Sequence, residues 1–291
     1  MQDVALEERL LLNAYRQLLG EAAAAACPPA LVMASRNDLV SYACRTLPEA
    51  EQRVLLDYAD SLARRFSSTG IERYPLPLRC AEKPTEAEDR AHAHLLEGSG
   101  SLWVALRDVI VALDFGADGR PIAEGHVFYL GSYCKGGAVG VCRHTRYHGN
   151  VCRLLNAALQ AICPDFAWST LAVSLNNGVK VHTDRWNASA PCLLVGCSHH
   201  DGGELWIEQP GGVACLEHEG TQLFGTALPT SAMVVMFSGK EQRHANLPWS
   251  NGDRFVLIAF QTGHLASLRP AERRMLLDFG ICSALAVAMA Q

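Results

Sequence analysis

Val181-His182-Thr183-Asp184 and, later in the chain, Arg243-His244-Ala245-Asn246-Leu247-Pro248-Trp249-Ser250-Asn251-Gly252-Asp253-Arg254 are the stretches that decide the fold. The first follows an apolar run, Leu171 to Leu175, and a turn signal at Asn176-Asn177-Gly178. On a strand, residues two apart face the same side, roughly 6 to 7 Å apart. One imidazole and one carboxylate so placed can take adjacent positions on a metal ion. The second stretch carries turn chemistry at Asn251-Gly252 and leads into the strand-like run FVLIAF. His244 and Arg254 lie equally far from Trp249, so the expectation is a hairpin that sets them nearly opposite across a ladder. That hairpin brings a second imidazole to the metal pair. It also aims a fixed cation into the same cavity, where a bidentate fork suits a carboxylate.

Working outward, the chain has 291 residues, 49% hydrophobic and 19% charged. That composition excludes a disordered or low-complexity chain, and the length allows a sizeable core. With 25 basic against 30 acidic side chains the net charge is −5, which argues against whole-molecule attraction to nucleic acid or to an anionic membrane. The opening MQDVALEER is acidic where a targeting signal wants positive charge. The apolar stretches Ala22 to Ala34 and Ile281 to Ala290 are too short to span a bilayer. Eleven scattered cysteines, an odd count, read as mostly reduced thiols. A cytoplasmic or nuclear protein without membrane association is the expectation.

Residues 1–69 show helical spacing at Leu6, Leu10, Leu11, Tyr15 and Leu18, and again at Val54, Leu55, Tyr58, Leu62 and Phe66. Residues 70–90, rich in proline and acid, read as an extended connection. From residue 102 short β-type runs follow: LWVALRDVIVAL, HVFYL, STLAVSL, PCLLVGC, GELWIE, MVVMF and RFVLIAF. Turn residues separate them, as in a β-sandwich or barrel. One helix, Val151 to Ile162, interrupts the series, and a last amphipathic helix is expected from Pro270 to the end of the chain. The predicted fold is α+β. Residues 1–95 form a helical N-terminal region and linker, and residues 96–291 form a β-rich domain with a C-terminal helix.

There is no G-x-G-x-x-G, Walker A loop, G-x-S-x-G elbow, H-E-x-x-H or C-x-x-C. Two histidines and one carboxylate with open positions are the facial triad of non-haem iron sites. The order H-x-D, a late His and then an Arg resembles the Fe(II)/2-oxoglutarate-dependent dioxygenases, whose core is a double-stranded β-helix, a jelly roll. The resemblance covers about residues 100 to 265. It includes Gly202-Gly203-Glu204-Leu205, similar to a G-G-E-L strand of the hydroxylase branches, and the spacing His244-x3-Pro248-x3-Gly252-x-Arg254. It implies His182, Asp184 and His244 as catalytic iron ligands, Arg254 as the anchor of the 2-oxoglutarate carboxylate, and O2 as the other cosubstrate. Val256 departs from the pattern, since many branches carry a hydroxyl there.

His182-Thr183-Asp184-Arg185-Trp186-Asn187 also resembles the H-x-D-x-x-N of the TET/JBP branch, which oxidises methyl groups on DNA bases. It implies a substrate contact for Asn187; the plainer reading is a strand-end side chain bonded to backbone. Asn176 is a candidate for the cosubstrate site or a turn residue. The run Gly131 to Arg153 holds Lys135, Arg143, Arg146 and Arg153 without an acid. Arg143 and Arg146 are candidate contacts to an anionic substrate such as nucleic acid, or part of a solvated loop. A zinc on Cys134, Cys142, His144, His148 and Cys152 lacks zinc-site spacing. His199-His200-Asp201 reads as a loop start. The expected function is hydroxylation of a C–H bond on a methylated nucleobase or a protein side chain; the alternative is a non-catalytic jelly-roll metal- or ligand-binding module.

Overall fold

The computed structural model describes residues 6–281 except 21–23, 25–26, 35, 68–73, 81, 99–101, 199 and 232. Two antiparallel sheets form its centre. The larger runs in the order β1 (Gly116–Ala117), β2 (Ala123–Lys135), β4 (Thr170–Val179), β13 (Phe255–Phe260), β5 (Cys192–Gly196) and β10 (Val234–Phe237), with β3 (Ala138–Val141) paired to β2. The smaller runs β11 (His244–Asn246), β7 (Leu205–Glu208), β9 (Thr221–Leu228) and β8 (Ala214–His218). A bridge from His182 to His244 extends its edge, and β6 (Asp201–Gly202) pairs with β12 (Trp249–Ser250). From β4 onward the chain crosses repeatedly between the sheets: β4 in the larger, His182 in the smaller, β5 back in the larger, β7 to β9 in the smaller, β10, β11 and β13 alternating again. This is the double-stranded β-helix, a jelly-roll arrangement.

The strands in the middle of the larger sheet are nearly all apolar because both faces are covered. Period two sorts them into two cores. Leu193, Val195, Leu257 and Ala259 join the cluster on the helix side. Cys192, Leu194 and Val256 join the cluster between the sheets, with Leu205 and Ile207 from the smaller one. The α-helices among the described residues are α1 (Leu6–Leu19), α2 (Arg36–Thr46), α3 (Glu49–Ser67), α4 (Glu86–Glu97), α5 (Leu102–Ile110), α6 (Gly149–Ile162) and α7 (Pro270–Asp278). The α6 helix buries Val151, Leu154, Leu155, Ala158 and Leu159, one stripe at helical spacing. That stripe belongs to the same cluster as Leu11, Leu12 and Tyr15 of α1.

Three expectations are corrected. LWVALRDVIVAL is helical over Leu102–Ile110, since Leu102, Ala105, Leu106, Val109 and Ile110 are buried at three- and four-residue spacing. The extended connection ends earlier than residue 90, because Thr85 caps α4 by accepting the Glu88 N–H at 3.3 Å. His244 and Arg254 are not partners in a hairpin. The strand that begins at His244, β11, pairs with β7, and β13 pairs with β4 and β5, so the loop between them crosses from one sheet to the other. The α7 helix covers Pro270–Asp278, and the rest of the predicted C-terminal helix beyond residue 281 lies outside the described residues. Every described cysteine is free, and no described helix is long and apolar enough to cross a membrane.

Candidate metal centre

The cavity between the sheets is lined on β4 by Ala172 and Ser174 and then, with the parity reversed, by Asn177 and Val179. A β-bulge causes the reversal, because the pairing of β2 with β4 shifts between Glu124 and His126. Asn176 takes φ 48° there. Gly125 opposite must be glycine, since a Cβ would lie 2.1 Å from the Asn176 carbonyl oxygen.

Past the bulge the chain enters the smaller sheet's edge, where the His182 N–H donates to His244 O and the His244 N–H to His182 O. His182 Nε2 lies 3.4 Å from Asp184 Oδ1, and His244 Nε2 lies 3.7 Å from Asp184 Oδ2. All three ligand atoms fall within 4.8 Å of one another. Each ring is oriented by backbone: Nδ1 of His182 donates to Lys180 O at 2.8 Å and Nδ1 of His244 to Gln242 O at 3.0 Å. In the neutral rings both Nε2 lone pairs therefore face the carboxylate. Such a set of inward-facing lone pairs is unfavourable by itself and suits a divalent cation. Burial pushes the Asp184 carboxyl up, but when the rings carry a proton on Nε2 the His182 hydrogen bond and the His244 charge, with Arg120 nearby, outweigh it and hold it below its ordinary range. Burial, then the proximity of His182, lowers His244, which keeps the ring neutral and ligand-ready. Asp184 is fixed by its N–H to Gly239 O at 2.8 Å and by Asn187 Nδ2, which donates to Oδ2 at 3.4 Å.

Arg254 lines the same cavity and is only 2% exposed. Its Nε donates to Gly203 O at 3.1 Å, Nη2 to Thr230 Oγ1 at 3.4 Å, and the guanidinium lies 5.8 Å from the Trp249 ring centroid. Among the described residues no carboxylate forms an ion pair with it. Burial pulls its pKa down to about 10, still leaving it charged at neutral pH. A buried cation held only by neutral groups fits an anionic ligand. Two-histidine, one-carboxylate donors and a buried Arg thus match the requirements of Fe(II) and of a dicarboxylate such as 2-oxoglutarate.

The structure thus gathers His182, Asp184, His244, Asn187 and Arg254 around one cavity. It does not bring Asn176, Arg143 or Arg146 there. Asn176 accepts the Arg254 N–H at 2.8 Å and donates to Asp253 at 2.8 Å, so it pins the start of β13. Arg146 pairs with Glu272 of α7 at 3.2 Å, and Arg143 precedes a 3-10 turn, His144–Arg146. Sequence reasoning missed Arg120, Asn177, Tyr129 and Asn246, all on the cavity wall. It also missed Gly239, where a Cβ would meet Asp184 Oδ2 at 2.8 Å. None of these is marked by a local motif.

No family model and no curated protein matches the chain. Solved structures do. The chain is similar to a Pseudomonas putida prolyl-4-hydroxylase at 16% identity and TM-score 0.31, over 60% of this chain and 86% of that one. It is similar to an oxidoreductase of the 2OG-Fe(II) oxygenase family from Burkholderia pseudomallei, at 14% identity and TM-score 0.37, over 65% and 96%. A third is a prolyl hydroxylase from Trichoplax adhaerens in complex with a hypoxia inducible factor oxygen degradation domain peptide fragment. There the figures are 8% identity, TM-score 0.34, and 75% and 94% coverage.

Proposed function

We propose that this chain is a non-haem Fe(II)- and 2-oxoglutarate-dependent dioxygenase that hydroxylates a C–H bond. One observation carries the reading: His182, Asp184 and His244 converge within 4.8 Å in a cavity that also holds Arg254, a cation that no carboxylate pairs among the described residues. His182 Nε2, His244 Nε2 and one Asp184 oxygen would hold the metal, and Arg254 would clamp the far carboxylate of the cosubstrate. Bound there, iron and the 2-oxo acid supply O2 activation coupled to oxidative decarboxylation. The chain's own part is orientation and dryness. Backbone carbonyls hold both rings as Nδ1–H tautomers, Asn187 and Gly239 steady the carboxylate, and Leu194, Leu205, Phe237 and Ile258 line the wall with apolar surface. A protein side chain is the substrate class we favour over a methylated nucleobase. The net charge of −5 argues against whole-molecule attraction to a nucleic acid.

Anaerobic titration of Fe(II) and 2-oxoglutarate into the metal-free protein tests the reading. A visible charge-transfer band that forms only when both are present, and is lost in His244→Ala, is the expected result. Iron bound with no band at saturating 2-oxoglutarate would sink it.

A further inference from the structure

The Arg254 guanidinium leans on the carbonyl of a Gly-Gly pair. Gly203 O accepts from Arg254 Nε at 3.1 Å and from Thr230 Oγ1 at 2.6 Å, and Thr230 Oγ1 in turn accepts from Arg254 Nη2 at 3.4 Å. Gly202 and Gly203 both take left-handed backbone, φ 69° and φ 71°. Glycine enters that region and its alternatives with little preference, so the chain by itself does not set the direction of the Gly203 carbonyl. The direction is set by what grips the peptide unit in front of it. The N–H of that unit, on Gly203, donates to Pro248 O at 2.9 Å. Its C=O, on Gly202, accepts from His200 Nδ1 at 3.0 Å.

His200 is 3% exposed, and its own backbone is fixed. Its N–H donates to Ser231 Oγ at 3.2 Å, and Ser231 O accepts from Asn13 Nδ2 of α1 at 2.9 Å. The ring covers Gly203, where a Cβ would stand 2.9 Å from Cε1 and 3.0 Å from Nδ1. The other ring nitrogen, Nε2, is buried with no hydrogen-bond partner among the described residues. That fixes the tautomer. A proton on Nε2 would be a buried donor without an acceptor, and it would set the Nδ1 lone pair against the Gly202 carbonyl. Burial, and then the charge of Arg254, pull the ring's pKa down to about 4, so it is neutral at neutral pH. An apolar side chain would fill the same space without an orphaned acceptor, so what the imidazole adds is its Nδ1–H.

We infer that His200 is a positioning residue for Arg254: its Nδ1–H holds the Gly202–Gly203 peptide so that the next carbonyl meets the guanidinium. His200 does not line the cavity itself and acts through the backbone. The consequence for 2-oxoglutarate rests on the function proposed above; the aim of the guanidinium does not. A packing role alone would be served by any side chain of this volume. Two substitutions separate the roles. Asparagine carries an N–H donor on the same Cγ that bears Nδ1 in histidine, whereas leucine keeps volume and has no donor.

The test compares full-length 15N-labelled wild type, His200→Leu and His200→Asn without metal, following solvent exchange of the Arg254 Nε–H. Exchange should quicken about tenfold in His200→Leu and stay within about twofold of wild type in His200→Asn. With Mn(II) present, calorimetry should find 2-oxoglutarate about tenfold weaker in His200→Leu and largely restored in His200→Asn, with Mn(II) affinity unchanged in both. Wild-type exchange in His200→Leu would overturn the inference, and equal quickening in the two variants would reduce His200 to packing and overturn it as well. Should His200→Leu fail to fold, wild type alone decides. The ring's 15N spectrum must show a proton on Nδ1 and none on Nε2, and the opposite tautomer overturns the inference. Because the exchange measurement uses neither metal nor cosubstrate, a wild type that fails to bind 2-oxoglutarate would count against the dioxygenase reading and leave the role of His200 standing.

Discussion

His182 and His244 each spend Nδ1–H on a backbone carbonyl two residues earlier, Lys180 O and Gln242 O. That bond turns an imidazole, which has two possible faces, into a ligand with one. The carboxylate between them is equally constrained from behind, by Gly239. A methyl group there would stand 2.8 Å from Asp184 Oδ2. Gly239→Ala should therefore weaken metal affinity roughly 10- to 100-fold with the fold intact, the size of effect seen when groups supporting a ligand are disturbed. Competition for Mn(II) against a chelating dye, alongside a thermal melt, measures both halves; unchanged affinity would show that Asp184 moves freely. Arg254 offers the second residue-scale prediction. Arg254→Met removes the buried cation, so 2-oxoglutarate binding should fall by about 3 kcal/mol, or roughly 100-fold. Arg254→Lys keeps the charge but loses the fork and should fall between. Titration calorimetry in the presence of Mn(II) ranks the three, and equal affinities would remove Arg254 from the cosubstrate site.

At the scale of the element, α6 begins under tertiary control. The Glu88 carboxylate from α4, 4% exposed, accepts the N–H groups of Asn150 at 2.9 Å and Val151 at 3.1 Å, and Asn150 Nδ2 at 2.8 Å. A negative side chain therefore meets the first turn of a helix that carries no acid of its own there. Burial nevertheless dominates and raises the Glu88 carboxyl above its ordinary value. The native state then holds the proton more tightly than the unfolded chain. This contribution to stability is fully present below about pH 4.3, the unfolded value, and is lost as pH rises through the raised folded value. Melting curves of wild type and Glu88→Gln from pH 4 to pH 7 isolate it. The difference between the two should shift in favour of the variant as pH climbs, and parallel curves would mean that Glu88 titrates normally. The misreading of 102–110 as a strand belongs to this scale as well. A short run of mixed apolar residues satisfies both periods, and the face presented to α4 and α6, not propensity, decides between them.

At the scale of the whole molecule, the N-terminal helices and the jelly roll share one core. Leu11 and Tyr15 of α1 and Leu55 of α3 belong to the cluster that contains Leu154 of α6 and Leu257 of β13. A chain beginning at residue 96 should consequently lose cooperative unfolding and expose apolar surface, read by dye binding and a calorimetric scan. A sharp transition from that fragment would mean that the β-rich part folds alone. Much of this protein was legible beforehand. His182, Asp184, His244 and Arg254 were legible because ligand chemistry and short spacings are written locally. The strands were legible because the short apolar runs HVFYL, CLLVG and FVLIAF stand between turn residues. Whether His244 and Arg254 face one another across a ladder or a cavity is not a local property. It follows from which sheet each strand joins. Asn177, Arg120 and Gly239 were silent for the same reason. A single bulge residue at Asn176 reverses which β4 side chains face inward, and the turn carrying Arg120 reaches the site only because β2 pairs with β4. Sequence by itself determined the candidate donor atoms and the short apolar strand runs, since these depend on neighbours a few bonds apart. Tertiary structure alone decided which atoms share the cavity, since that depends on register and sheet packing between segments far apart in the chain.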